Sequence, residues 1–514
     1  MPDGDDPLFS RAVGALEREA LRDYLPAQRW FSDKDAALRD VRLVDAAALG
    51  AEPHGEIGGA RGQAHDERPY LAIFKLPERE RHYFIPLTLA QSAPANGDGD
   101  APAPLVRLSD SPDGGAVYEG LATDSLALGI LADVRAERRR PAARGGTFAA
   151  HATAALHDET LDEPPRVRRM NVEQSNTSVV IDERIVLKGY RKTHAGPQPE
   201  LEIARFLDAV GYRNTPALLG FVEYEHPASA PMAVCIMQRF VKARGDGWSV
   251  TLDDLRRASG SQATQIERAR RLGVRTAELH RAFATPGGGG GAFEPEPTTQ
   301  ADLDAWVAQA RETATRALGT LAAELDRVPG ALRADAAALL ARRDEILARI
   351  AAPPLDPGVT KTRYHGDYHL GQVLVVGDDF SIVDFEGEPG RAPEVRRRKS
   401  SPLRDVAGML RSFNYAALAG VLAAAEDAGE RADGALAHAW ERDAAAAFLA
   451  GYRETIAGCS SYPADPAHAA ALLDLFALEK AFYEMSYELA NRPAWLRIPM
   501  EGIRAILDRP TGRA

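Results

Sequence analysis

RYHGDYHLGQVLVVGDDFSIVDFEGE, residues 363 to 388, decides the reading of this chain. An extended run leads into His365-Gly366-Asp367. After Gln372 come Val373-Leu374-Val375-Val376, the turn formers Gly377-Asp378-Asp379, and then Phe380 to Val383. Two β-branched runs about a Gly/Asp turn predict a hairpin. One acid, Asp367, therefore stands before the hairpin and another, Asp384, at its far end. Phosphoryl transfer needs such a pair. One carboxylate orients the attacking hydroxyl and accepts its proton; the second, with a neutral oxygen ligand, holds Mg²⁺ on the phosphates of ATP. Gln372, five residues after Asp367, is placed to be that neutral ligand. A single Asp beside a glycine does no more than cap a turn, but the full set in this order is a specific signal.

The spacing of acid, amide and metal-binding acid is that of protein kinases. HGDYHLGQVL followed by VDFEGEP resembles the maltokinase branch of the aminoglycoside-phosphotransferase-like kinases. Three further stretches are similar to that family, in its order: LPAQRWF (Leu25 to Phe31), EQSNTSVV (Glu173 to Val180) and EKAFYEMSYELANRPAWLRIPM (Glu479 to Met500). The resemblance covers the whole chain. It implies an α+β, bilobal, protein-kinase-like fold with an N-terminal cap: cap over 1–105, β-rich N-lobe over 106–242, helical C-lobe over 243–514.

Composition agrees. The 514 residues allow two or three packed units. No uninterrupted apolar run has the length of a membrane span, and the acidic start, MPDGDDPLF, lacks a basic-then-apolar signal. A cytoplasmic protein is expected, with no membrane partner. Cys235 and Cys459 lie in apolar surroundings and read as buried thiols rather than a disulfide or metal site. The net charge of −12 argues against a nucleic-acid partner. The basic runs Arg138 to Arg140 and Arg396 to Lys399 read as solvated loops, the second where kinases carry their activation segment.

Along the chain, a helix over residues 10–24 is expected to end at Pro26, with Trp30 and Phe31 as core anchors and strands at Val41 to Val44 and Tyr70 to Phe74. Gln91 to Pro104 reads as a mobile loop. Val179 to Lys188 reads strand, turn, strand, and a Lys ending such a strand reaches nucleotide phosphates. The helix after Pro199 carries Glu200 and Glu202, acids able to hold that Lys; the resemblance implies the pair Lys188–Glu202. Ser175, Asn176, Thr177 and Ser178 would form the phosphate-covering turn, without the glycine of the protein-kinase loop. Cys235 to Val241 reads as a buried strand entering the hinge, where the backbone from Gln238 to Phe240 would pair with adenine. Beyond Val250 the chain is mostly helical, with Ala269, Leu272, Thr276, Leu279 and Phe283 on one buried face and His280 a satisfied core histidine. Thr285 to Pro297 reads as a flexible excursion, and Asp405 as a brace beneath the catalytic loop.

Sugars are bound by polar groups that fork onto neighbouring hydroxyls and by aromatic rings under their apolar faces. Tyr487, Glu488, Arg492 and Trp495 supply both, and His369 and Glu386 lie nearer the catalytic loop. The competing reading is a C-terminal helix packed with aromatics. Together these residues predict an ATP:sugar phosphotransferase with Mg-ATP between the lobes. Lys188 contacts phosphates, Asp384 with Gln372 holds metal, Asp367 orients the sugar hydroxyl, and His365 braces the loop. The resemblance implies maltose as acceptor, phosphorylated at its anomeric hydroxyl for an α-glucan route, and association with trehalose and α-glucan pathway enzymes. Kinases of this branch also act on other sugars, glucosamine among them, and no residue decides between these. A glycosidase built on Asp367 and Glu386 leaves Lys188 and Gln372 without a purpose. A pseudokinase-type regulatory module requires a lost catalytic group, and none is missing.

Overall fold

The computed structural model describes residues 7–509 apart from 32–37, 39, 51–66, 95–101, 109–114, 171–174, 258–261, 288–289, 352, 357, 389 and 429–433. Half of the loop expected over residues 91–104, namely 95–101, lies outside the described residues. The chain forms two units, 1–205 with 216–242 and 206–215 with 243–514.

In the first unit, helices Pro7–Ala15 and Leu21–Ala27 are joined through a π-turn, and Pro26 sits within the last turn rather than ending the helix before it. Phe31, 1 % exposed, packs on Tyr83 with ring centroids 5.5 Å apart, so the anchor expected in this stretch is present. Strands β1 (Arg42–Ala48), β2 (Glu67–Leu76), β3 (Arg81–Phe84), β4 (Leu87–Ala90), β5 (Val106–Arg107) and β6 (Ala116–Glu119) build an antiparallel sheet, to which Lys192–Thr193 adds along β3. The sheet runs on past residue 105, the boundary expected from sequence, through β5 and β6. Helix α1 (Asp124–Arg135) buries Leu126, Ala127, Ile130, Leu131 and Val134, the spacing of one helical face. Its core neighbours come from the first sheet (Leu71, Ile73) and from a second one (Phe148, Val179, Leu187). Burying each larger apolar side chain contributes about 1.5–3 kcal/mol.

The second sheet comprises β7 (Arg139–Pro141), β8 (Thr147–Ala152), β9 (Val167–Arg169), β10 (Thr177–Ile181), β11 (Ile185–Gly189), β12 (Leu218–His226) and β13 (Ser229–Arg239), in the order β7-β8-β12-β13-β11-β10-β9. One buried acid ties the two sheets together. Asp45 of β1 has no exposed surface and accepts hydrogen bonds from the backbone of Arg144 (2.7 Å) and Gly146 (3.0 Å) and from the Tyr224 hydroxyl (2.9 Å). A buried carboxylate is stable only with such a set of donors.

The second unit is mainly helical. After helix α2 (Pro199–Ala209), which begins in the first unit, come α3 (Gln262–Phe283), α4 (Gln300–Ala323), α5 (Leu403–Ala428), α6 (Gly434–Ile456) and α7 (Pro466–Asn491). Helices α3 and α6 approach closely enough that a Cβ on Gly273 would lie 2.0 Å from the Phe448 carbonyl oxygen, and one on Gly451 2.3 Å from that of Arg270. Among the described residues no helix is long and apolar enough to cross a membrane. The glycine-rich excursion departs from expectation. Phe293 is 3 % exposed and stacks on Phe206 at 4.1 Å, and Glu296–Pro297 pairs with Thr360–Lys361. One aromatic among the glycines gains enough by burial to anchor the segment.

Candidate active site

The expected hairpin forms as β14 (Val373–Val376) and β15 (Asp379–Ile382), with Gly377 in the turn at φ 58°. Asp405, in the first turn of α5 and 2 % exposed, holds the loop ahead of it. Its carboxylate accepts from the backbone N–H of His365 (2.7 Å) and of Gly366 (3.0 Å), while His280 Nε2 on α3 lies 3.2 Å away. His280 Nδ1 in turn meets the Tyr452 hydroxyl on α6 at 2.9 Å, so its role is the satisfied core histidine read from sequence. Three helices thus fix one carboxylate, and that carboxylate fixes the loop.

His365 is a strut. Its Nε2 donates to the Val383 carbonyl (2.9 Å) and its Nδ1 faces the Asp367 N–H (3.4 Å), which occupies both ring nitrogens and joins the loop to the end of β15. At the same point Gly366, with φ 89°, lies so near Gly387 that a Cβ would come within 3.2 Å of its Cα. A side chain at residue 366 would be strained by the backbone and crowded by Gly387.

Gln372 Nε2 lies 3.1 Å from Asp384 Oδ2, and Asp384 and Glu386 offer carboxylate oxygens within 4.8 Å of one another. Asp384 has φ 64°, a left-handed conformation that Asp adopts more readily than most residues. An amide carries oxygen and nitrogen on one rotatable group, so a turn of the Gln372 amide presents its oxygen instead. Two carboxylates and one amide oxygen form a hard donor set that fits Mg²⁺. Asp367 lies beside a second pair of groups: Lys480 Nζ on α7 is 3.5 Å from its Oδ1 and His369 Nε2 3.9 Å from its Oδ2. Burial holds the His369 ring below its ordinary pKa, with Lys480 and His365 acting in the same direction against Asp367 and Asp384, so it is neutral at pH 7.

In the first unit, Lys188 at the end of β11 pairs with Glu200 at 3.1 Å, and the Tyr190 hydroxyl donates to the same carboxylate at 3.0 Å. This corrects the expectation of Glu202. Residues two apart on a helix point about 200° apart, and the face of α2 that buries Glu200 (1 % exposed) leaves Glu202 half-buried. The expected phosphate-covering turn is also revised. Thr177 and Ser178 belong to β10, Ser178 is fully buried, and the Thr177 hydroxyl accepts from Arg191 (2.8 Å). Only Ser175 and Asn176 remain ahead of the strand. At the hinge position, Gln238 is in register with both Leu218 and Val186, and the Phe240 N–H already donates to the Arg184 carbonyl at 2.7 Å. The Phe240 amide is therefore committed to the sheet and not to adenine.

The C-terminal cluster comes together on and after α7. Arg492 forks onto Glu488 through Nε (2.9 Å) and Nη2 (2.6 Å), and its guanidinium lies over the rings of Trp495 (4.8 Å) and Tyr487 (5.5 Å). Tyr415 of α5 donates to Glu488 (3.1 Å) and stacks on Trp495 with centroids 6.2 Å apart. Glu488 is 1 % exposed, whereas Tyr487 is 49 % and Tyr483 42 % exposed.

A family model for the maltokinase N-terminal cap domain matches residues 24–122. Glucosamine kinase of Mycolicibacterium smegmatis (strain ATCC 700084 / mc(2)155) is 29 % identical over 350 residues, covering 67 % of this chain and 80 % of that protein. Glucosamine kinase of Streptacidiphilus jiangxiensis is 27 % identical over 338 residues, covering 65 % and 71 %. A solved structure of a glucosamine kinase in complex with glucosamine, ADP and inorganic phosphate matches with a TM-score of 0.64 at 22 % identity, over 95 % of this chain and 99 % of that one. The chain is thus similar to the maltokinase cap over residues 24–122 and has the fold of the kinases it matches. Sequence reasoning missed Lys480, which stands in the quoted EKAFYEMSYELANRPAWLRIPM between buried Glu479 and Ala481. A lysine in so apolar a helical register was the available signal.

Proposed function

We propose that this protein transfers the γ-phosphoryl group of ATP to a sugar hydroxyl. The observation that carries the reading is the rigid set around Asp367: a carboxylate on a loop held by Asp405, followed by the convergent oxygen donors Gln372, Asp384 and Glu386. Asp367 orients the acceptor hydroxyl and takes its proton. Gln372 and Asp384, with Glu386 beside them, would hold Mg²⁺, which when bound neutralises phosphate charge. Lys188, kept in place by Glu200, contacts the phosphates.

Glucosamine is the acceptor favoured here, phosphorylated on its 6-hydroxyl. The relatives that bear that name match 67 % of the chain in sequence and 95 % in structure, whereas the cap match ends at residue 122. The second reading, maltose phosphorylated at its anomeric hydroxyl, is favoured by the cap. Release of ADP with each sugar in turn separates them. The glucosamine reading expects kcat/KM for glucosamine above that for maltose; the reverse order supports maltose, and no stimulation by either rejects both.

Two variants test the supporting groups. Glu200→Gln removes the charge that holds Lys188, an interaction worth about 1.5 kcal/mol or more, so the KM for ATP should rise roughly tenfold with the sugar KM unchanged. An unaltered KM for ATP would remove Lys188 from the phosphate site. Trp495→Ala, if the C-terminal cluster contacts sugar, should raise the sugar KM by up to about tenfold, because a stacked ring contributes about 1 kcal/mol beyond its area. A sharp fall in melting temperature with the sugar KM unchanged would instead assign the ring to packing against Tyr415.

A further inference from the structure

Lys480 stands on α7, far from the catalytic loop in sequence, and brings its Nζ to 3.5 Å from Asp367 Oδ1. The loop has no charged partner of its own to offer. Between Arg363 and Gln372 the basic residues are Arg363, His365 and His369. Arg363 is 1 % exposed, with its guanidinium over the Phe293 ring at 5.0 Å. His365 has both nitrogens engaged, and His369 is neutral at pH 7. We propose that Lys480 is the positioning residue of the catalytic carboxylate, a cation supplied by a distant helix that holds Asp367 in the orientation facing the acceptor hydroxyl. The proposal rests on the reading of Asp367 as the acid that orients that hydroxyl.

Its surroundings suit the role. The Lys480 side chain is 33 % exposed and that of Asp367 18 %, so the pair faces an open site and not the core. Burial lowers the lysine pKa, but Asp367, Glu484 and Glu388 more than offset this and keep the ammonium charged. Glu484 is already held by Arg411 at 2.8 Å and Glu388 by Arg391, while the Tyr483 ring lies 5.3 Å from Nζ. A flexible lysine stem gains a fixed direction from these neighbours. An isolated exposed ion pair contributes little, but a carboxylate held in its reactive geometry affects rate directly.

A double-mutant cycle tests this, because a residue acting through Asp367 loses its effect once the carboxylate is gone. Lys480→Met should lower kcat by about 10- to 100-fold and leave the KM for ATP within about twofold. In an Asp367→Asn background the same change should cost less than about threefold. Lys480→Arg, which keeps the charge, should recover most of the loss. An equal cost in both backgrounds, or unchanged kcat in Lys480→Met, would overturn the proposal. Should the methionine variant not fold, Lys480→Gln and Lys480→Arg complete the same cycle. Wild-type turnover in Asp367→Asn alone would sink the reading of Asp367 itself. That result is distinct from an inactive Asp367→Asn with an indifferent Lys480.

Discussion

Asp367→Asn is expected to reduce turnover by roughly 10²–10⁴-fold, the combined worth of a positioned base and its orienting role, with the KM for ATP nearly unchanged. The substitution keeps size and shape, so the loop, hung on Asp405 through the backbone N–H groups of His365 and Gly366, should survive it. What disappears is the negative charge proposed to face the acceptor. Steady-state kinetics with saturating sugar would show the loss in kcat. A variant within a few-fold of wild type would mean that another group receives the proton, and the architecture of the loop would need a different explanation.

Asp384→Ala should be the other severe change. In the proposed site its carboxylate would hold the metal together with the amide of Gln372, and the two groups are 3.1 Å apart. Removing it leaves a neutral amide and Glu386, too little charge to keep a strongly hydrated Mg²⁺ on triphosphate. Metal-ion stabilisation of transferring phosphoryl oxygens is worth several kcal/mol, so turnover should fall by roughly 10²–10³-fold or more. Calorimetry should show the Mg²⁺-dependent part of nucleotide binding gone. Gln372→Asn should be milder, since it keeps an amide oxygen on a shorter stem. Wild-type Mg-ATP affinity in the Asp384 variant would make the hairpin a structural element only.

The core of the site was legible in the sequence because its parts are contiguous. Strand period, turn glycine and terminal acids all fall within residues 363 to 388, and the hairpin they predict is the one that forms. Asp405 was legible for a related reason, as an acid in the first turn of a helix that follows the loop. The misses share a different cause. Choosing Glu200 over Glu202 requires the rotational phase of α2 against its sheet, which is set by burial of Leu201 and Ala204 with Tyr190 and Phe221. The fate of the Phe240 N–H depends on strand register with Arg184. Phe293 sits among glycines whose composition signals flexibility, yet its ring is held by Phe206 and Phe283. Lys480 meets Asp367 only through the packing of α7. Local pattern states what a segment prefers; these four outcomes are decided by what it is packed against.

The central claim is that this chain makes a sugar phosphate from ATP through Asp367. The most direct measurement follows ADP and sugar phosphate together, by coupled assay and mass spectrometry, with Mg-ATP and glucosamine or maltose, for the wild type and Asp367→Asn. Equal amounts of ADP and sugar monophosphate are expected from the wild type with one of the two sugars, none without sugar, and a deep loss of both products in the variant. ADP release indifferent to sugar, or a phosphorylated sugar formed equally well by Asp367→Asn, would contradict it.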